Sequence, residues 1–264
     1  MLFPGTSSGE RGGSGMDLKD ASVLLVDDEV MLRELMCHWL GRAVGEVVGA
    51  NNGVEALQVL ATRKIDLVLS DVRMPVMDGI ALLTKINEAP GHRPRLIFIT
   101  GFSDLSLRTA LDLGAEAILE KPFERADLLQ ESRRSLADLD ELWRAPQVEE
   151  AQDLHFKIGF ESLDAALQEK RIAFGRRGFC VETPDCLHTG PVAFTLDLKA
   201  DGRVISGQGV VRWTAQQGHQ AGIEIMHLDD AGRAWMIHWM QRNQAACFIP
   251  GSTESAQSSK PQVA

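Results

Sequence analysis

Apolar and polar positions follow two different rhythms along this chain. Over roughly the first half, short β-branched apolar runs alternate with stretches whose apolar residues recur at helical spacing. The runs Ala21–Val26, Glu46–Ala50, Ile65–Leu69, Arg95–Gly101 and Ala117–Glu120 read as strands. Each is apolar on both faces, as strands covered on both sides by helices are. Val30–Leu40, Val54–Leu60, Gly79–Glu88, Leu105–Leu113 and Glu124 to about Trp143 read as helices. Gly41 and Gly114 are helix stops, and Asp104 is a cap for the fourth helix. Five such alternations predict an α/β fold, a doubly wound five-stranded parallel sheet.

From about Arg171 the rhythm changes. Short alternating segments separated by Gly, Asp and Pro turns include Arg177–Glu182, Val192–Leu198, Val204–Trp213 and Gln220–Met226. They predict a small antiparallel β-barrel followed by a C-terminal helix, in which Trp235 and Trp239 pack one turn apart against the barrel. The expected division is a disordered extension over 1–19, a first domain over 20–143, a linker with a short helix over 144–170, the barrel domain over 171–247 and a disordered tail over 248–264. Ser162 is a cap for the linker helix, and Met16 is an alternative start. The second half of the fifth helix is expected to project, as a connector or as the seam of a homodimer.

Composition narrows the classes. The net charge of −10 over 264 residues disfavours non-specific binding to nucleic acid or anionic membranes. No apolar run approaches the length needed to span a bilayer, so no membrane insertion is expected. Four scattered cysteines without metal-ligand spacing predict reduced thiols and a cytoplasmic location, with a Cys180–Cys186 disulfide as the minor alternative.

The chemistry lies at the strand ends. Asp27 and Asp28 follow the first strand, Asp71 the third, Thr100 closes the fourth and Lys121 follows the fifth. Asp71 alone fits a helix cap as well as it fits a reactive group. In a doubly wound sheet, however, the carboxyl ends of the strands share one crevice. Three carboxylates there repel one another, and a hard divalent cation such as Mg²⁺ relieves the repulsion. A lysine and a hydroxyl opposite them suit a phosphoryl group, which an Asp carboxylate can accept as nucleophile.

At these residues the chain resembles the receiver domains of two-component response regulators. The resemblance rests on the Asp27-Asp28 pair, the run Asp71-Val72-Arg73-Met74-Pro75-Val76-Met77-Asp78-Gly79, Thr100 and Lys121-Pro122-Phe123. It implies that Asp71 is the phospho-acceptor. Asp27, Asp28, Asp71 and the backbone carbonyl of Arg73 are the implied Mg²⁺ ligands, and Thr100 and Lys121 the implied phosphate contacts and switch residues. A sensor histidine kinase or phosphotransfer protein is the implied donor. One departure is Ile118, which stands where the family has an aromatic ring, so the usual Thr-to-aromatic relay is not expected.

The second half resembles a PilZ domain through Gly178–Glu182, Gly209–Trp213 and Ala221–Ile225. That family binds cyclic di-GMP through an R-x-x-x-R segment and a D/N-x-S-x-x-G turn. Here Ala173 and Gly175 replace the Asp and Ser, and only Gly178 remains. The expected output is therefore a phospho-switched interaction with a protein partner, without a catalytic output domain. A regulator that also binds cyclic di-GMP, with Arg176 and Arg177 on the nucleotide, is the alternative. A DNA-binding regulator is the remaining one, and no helix-turn-helix pattern supports it.

Overall fold

The computed structural model describes residues 16–101, 105–144, 154–243 and 247–250. In the first half, β1 (Ser22–Val26), β2 (Glu46–Ala50), β3 (Leu67–Asp71), β4 (Arg95–Thr100) and β5 (Ala117–Glu120) form one sheet of order β2-β1-β3-β4-β5. Every pairing is parallel. This is the flavodoxin-like order, and its switch point falls between β1 and β3. Helices α1 (Val30–Leu40), α2 (Gly53–Thr62), α3 (Gly79–Glu88), α4 (Leu107–Leu113) and α5 (Arg125–Leu136) cover it.

Alternation along each strand supplies both cores. Leu24, Val26, Val68, Leu96 and Phe98 enter one. Val23, Leu25, Leu67, Leu69, Ile97 and Ile99 enter the other. The helices start where polar side chains take up free amides. Asn52 accepts from Val54 and Glu55, and Asp78 accepts from Ala81. Ser106 accepts from Thr109 and caps α4. The Asp104 expected in that role lies outside the described residues.

The second half contains α6 (Leu139–Leu142), β6 (His155–Phe160), α7 (Leu163–Gln168), β7 (Ile172–Phe174), β8 (Gly178–Glu182), β9 (Gly190–Leu198), β10 (Arg203–Ala215), β11 (Gln220–Leu228) and α8 (Asp230–Asn243). The strands form one sheet of order β6-β9-β10-β11-β8-β7, curled into a half-barrel. Its core is built from buried residues that include Trp143, Phe156, Phe179 and Phe194. Phe174 meets Trp235 and Trp239 with ring centroids 6.4 and 4.7 Å apart, the packing expected for those tryptophans.

Several expectations are corrected. The sheet is neither closed nor wholly antiparallel, because β6 pairs parallel to β9. β6 comes from the stretch read as linker, where Phe156, Ile158 and Phe160 are buried and the residues between them exposed. The fifth helix does not run on to Trp143. It ends at Leu136, and Asp138 restarts the chain as α6 by accepting from the Asp140 amide. Trp143 is fully buried in the second core, so this stretch does not project. Residues 16–20 are structured, with a 3-10 turn at Leu18–Asp20 and Leu18 buried. Phe248 and Ile249, assigned to a disordered tail, are buried as well. All four cysteines are free, so Cys180 and Cys186 are not bridged. Among the described residues, no helix is long and apolar enough to cross a membrane.

Candidate phosphoryl-acceptor site

The parallel register brings the predicted strand-end residues together. Asp71 is the last residue of β3 and pairs with Ile99, while Thr100 pairs with Glu120, one residue before Lys121. The Lys121 amide donates to the Thr100 carbonyl at 2.7 Å. The carboxylates of Asp27, Asp28 and Asp71 offer ligand oxygens within 4.8 Å of one another. Asp27 is buried, Asp71 half-buried and Asp28 exposed, so the cluster opens to solvent on one side.

Lys121 brings a cation to the site. Its Nζ donates to Asp71 Oδ2 at 2.6 Å and to Asp27 Oδ2 at 3.1 Å. Burial pulls its pKa down. The hydrogen bond to Asp71 and the charges of Asp27 and Asp71 outweigh that, and the net effect is upward. Burial raises the Asp27 carboxyl above its ordinary range, against the opposing pull of the Glu29 amide and Lys121. The Glu29 amide donates to Asp27 Oδ1 at 2.8 Å.

Local sequence fixes Asp71. The Arg73 amide donates to its Oδ1 at 3.1 Å, and the Ser70 hydroxyl donates to its backbone carbonyl at 2.8 Å. Gly79 lies so close that a Cβ there would come within 2.3 Å of that carbonyl. This is why α3 must begin with glycine. Thr100 is 2 % exposed, and its hydroxyl donates to the Gly101 carbonyl at 3.2 Å. Ile118, in the place of the ring, is half-buried and packs on the core beside Phe98.

Oxygen donors on three clustered carboxylates suit a hard divalent cation. Asp27, Asp28 and Asp71 could therefore hold one. With an attacking carboxylate, a cation anchored by the sheet and an open side, the arrangement can accept a phosphoryl group.

Arg176 and Arg177 are not part of this site. They lie in the turn before β8 and face the first half of the chain. Arg176 pairs with Glu116 at 2.9 Å and donates to the Gly114 carbonyl. Arg177 is 4 % exposed, lies 3.9 Å from Glu116 and donates to the Arg134 carbonyl. Burial draws the pKa of Arg177 down to about 10, against the pull of Glu116 and Glu224. Sequence reading missed the buried Glu116. The signal was a lone acid within the apolar run Ala115-Glu116-Ala117-Ile118-Leu119.

Comparison with known proteins bears on the first half of the chain. The family described as response regulator receiver domain matches residues 23–133. The positive alginate biosynthesis regulatory protein of Pseudomonas aeruginosa is 35% identical over 119 residues, 43% of this chain and 46% of that protein. The transcriptional regulatory protein GlrR of Escherichia coli K12 is 35% identical over 133 residues, 49% of this chain and 30% of that protein. The chain thus spans less than half the length of these curated relatives. The crystal structure of the receiver domain of NtrX from Brucella abortus is 30% identical, with a TM-score of 0.41, over 43% of this chain and 97% of that one. The amino-terminal half of this chain is a response regulator receiver domain, matched over residues 23–133.

Proposed function

We propose that the chain is the response regulator of a two-component system and that Asp71 is its phospho-acceptor. The observation that carries this reading is Lys121 bonded to both Asp71 and Asp27 at the mouth of a three-carboxylate cluster. An Asp71 carboxylate oxygen attacks the phosphorus of a phosphohistidine on a sensor kinase or phosphotransfer protein. The P–N bond breaks, and the imidazole keeps the electron pair. Lys121 holds an oxygen of the transferred group, and Thr100 offers its hydroxyl. Asp27, Asp28, Asp71 and the Arg73 carbonyl would hold Mg²⁺, which would supply charge neutralisation. Val30, Met31 and Val76 are exposed on the segments around the site, an apolar rim on which a phosphodonor protein can seat.

The second half is read as a PilZ-like output that acts by protein–protein contact, without an enzymatic domain. The curled sheet and its packed C-terminal helix support this. The four free thiols suit a cytoplasmic location. The cyclic di-GMP alternative requires Arg176 and Arg177 to leave Glu116, so the protein-contact reading is preferred.

The test is incubation with acetyl phosphate or phosphoramidate and Mg²⁺, followed by intact mass measurement. The wild type gains one phosphate, and Asp71→Asn or an excess of chelator abolishes the gain. Equal incorporation by Asp71→Asn would remove Asp71 from the role.

A further inference from the structure

The second sheet is open along one side. Its order leaves β6 and β7 as the two edges. Both edges carry backbone groups turned away from the sheet. At the ends of β6, the Leu154 and Phe160 carbonyls accept from the amides of Ala193 and Lys199, so the even-numbered residues direct their backbone to β9. Direction alternates along a strand, and the amides and carbonyls of His155, Lys157 and Gly159 therefore point the other way. On β7, the Arg171 carbonyl accepts from the Glu182 amide, and the Gly175 amide donates to the Gly178 carbonyl. By the same alternation the backbone groups of Ile172 and Phe174 point away from β8. Among the described residues, none of these outward backbone groups has a hydrogen-bond partner.

The two edges approach at one end, where Arg171 lies over the Phe160 ring, 5.2 Å from its centroid. Beside it is a cavity of about 480 Å³, lined by Lys157 and Gly159 of β6, by Arg171, and by Glu182, Thr183 and His219. Lys157, Arg171 and His219 are exposed.

We propose that this gap is the docking site for an extended acidic segment of a partner protein, which adds as a strand along β6 and sets a carboxylate against Lys157 and Arg171. The inference deepens the protein-contact reading of the second half and rests on it; it makes no use of Asp71.

Three observations carry it. First, an unpaired edge offers a strand-shaped partner a row of donors and acceptors. β6 is regular over His155–Phe160, and every second residue is exposed. Second, the cavity is positive on balance: two permanent cations and an imidazole face the single carboxylate of Glu182. Those cations are loosely held. Lys157 lies 3.9 Å from Asp197, and Arg171 lies 3.9 Å from Glu169, beyond hydrogen-bond reach. An incoming carboxylate can take both at closer range. Third, Lys157 in mid-edge selects among strands. Two copies of β6 pairing antiparallel about this point would set Lys157 against Lys157, and like charges directly opposite are destabilising. The same lysine favours an acidic strand.

The experiment is fluorescence anisotropy with the full chain and a labelled hexapeptide, acetyl-Thr-Glu-Val-Glu-Val-Thr-amide. The peptide binds saturably with a Kd below about 100 μM. Lysine in place of both its glutamates weakens binding at least about tenfold. Lys157→Glu reverses the preference, so that the lysine peptide becomes the tighter of the two. Gly159→Pro removes an outward edge amide at a place where a sheet tolerates proline, and weakens binding about fivefold. Circular dichroism melts establish that both variants fold, and Lys157→Glu, an exposed change, decides alone if Gly159→Pro does not. Absence of saturable binding, or equal affinity for the acidic and basic peptides, overturns the edge site. Binding that neither variant changes places the peptide elsewhere and overturns it too. A doubled mass in light scattering that Gly159→Pro returns to the monomer gives the edge to a second copy instead. Cyclic di-GMP titrated into the full chain by calorimetry separates the two failures. If it binds and the peptide does not, the protein-contact reading falls with the edge; if neither binds, the edge alone falls.

Discussion

Lys121 bonds two carboxylates that the sheet brings together. On the proposed reading it also holds an oxygen of the transferred phosphoryl group. Removing it leaves Asp27 buried without its charge partner. Lys121→Ala is therefore expected to cost about 1.5–3 kcal/mol in urea denaturation without metal, the range for a hydrogen bond to a charged group. Millimolar Mg²⁺ should recover most of the loss by taking over the neutralisation, and phosphate incorporation should stay slow regardless. A variant as stable as wild type in chelator would mean that Lys121 does not balance the cluster. The glycine at 79 is a second single-residue requirement, because the Asp71 carbonyl occupies the space of its Cβ.

At the scale of elements, the junction after α5 decides how the halves meet. Arg95 donates to the Ser135 and Ala137 carbonyls, and Arg177 donates to that of Arg134. Cations from a strand and from the other half thus satisfy the last turn of α5, where free carbonyls concentrate negative charge. Asp138 then starts α6, which delivers Trp143 to the second core. Asp138→Ala should destabilise the chain by about 1 kcal/mol through loss of the cap, and Asp138→Asn by much less. Equal losses for the two in denaturant melts would mean that capping is not what ends α5. The same logic explains why amphipathic spacing from Glu124 to Trp143 suggested one helix. A competing cap can break a periodic stretch without disturbing its apolar pattern.

At the scale of the molecule, a small apolar cluster ties the receiver to the second sheet. Phe248 is 2 % exposed and sits in that cluster against Leu111 and Trp213. Phe248→Ala should remove about 3–5 kcal/mol, the usual cost of deleting a buried ring. Because the loss falls between the halves, guanidinium unfolding should change from one transition to two as the receiver and the sheet uncouple. A single transition shifted by that amount would place Phe248 within one core instead.

The sequence determined the receiver almost completely. Its strands are buried on both faces, so Leu24, Val68 and Ile97 announce themselves by composition. The parallel order then places Asp27, Asp71, Thr100 and Lys121 at one edge whatever the details of the helices. β6 carried a legible period of two in Phe156, Ile158 and Phe160, but its partner β9 begins some thirty residues later, and nothing local says that they pair. What only the tertiary structure decided is the meeting of the halves. Glu116 looks like a surface acid, Arg176 and Arg177 like an open basic turn, and Phe248 like part of a tail. Each acquires its role from residues far away in sequence, because burial and charge pairing depend on distance in space, and local pattern constrains only the neighbours along the chain.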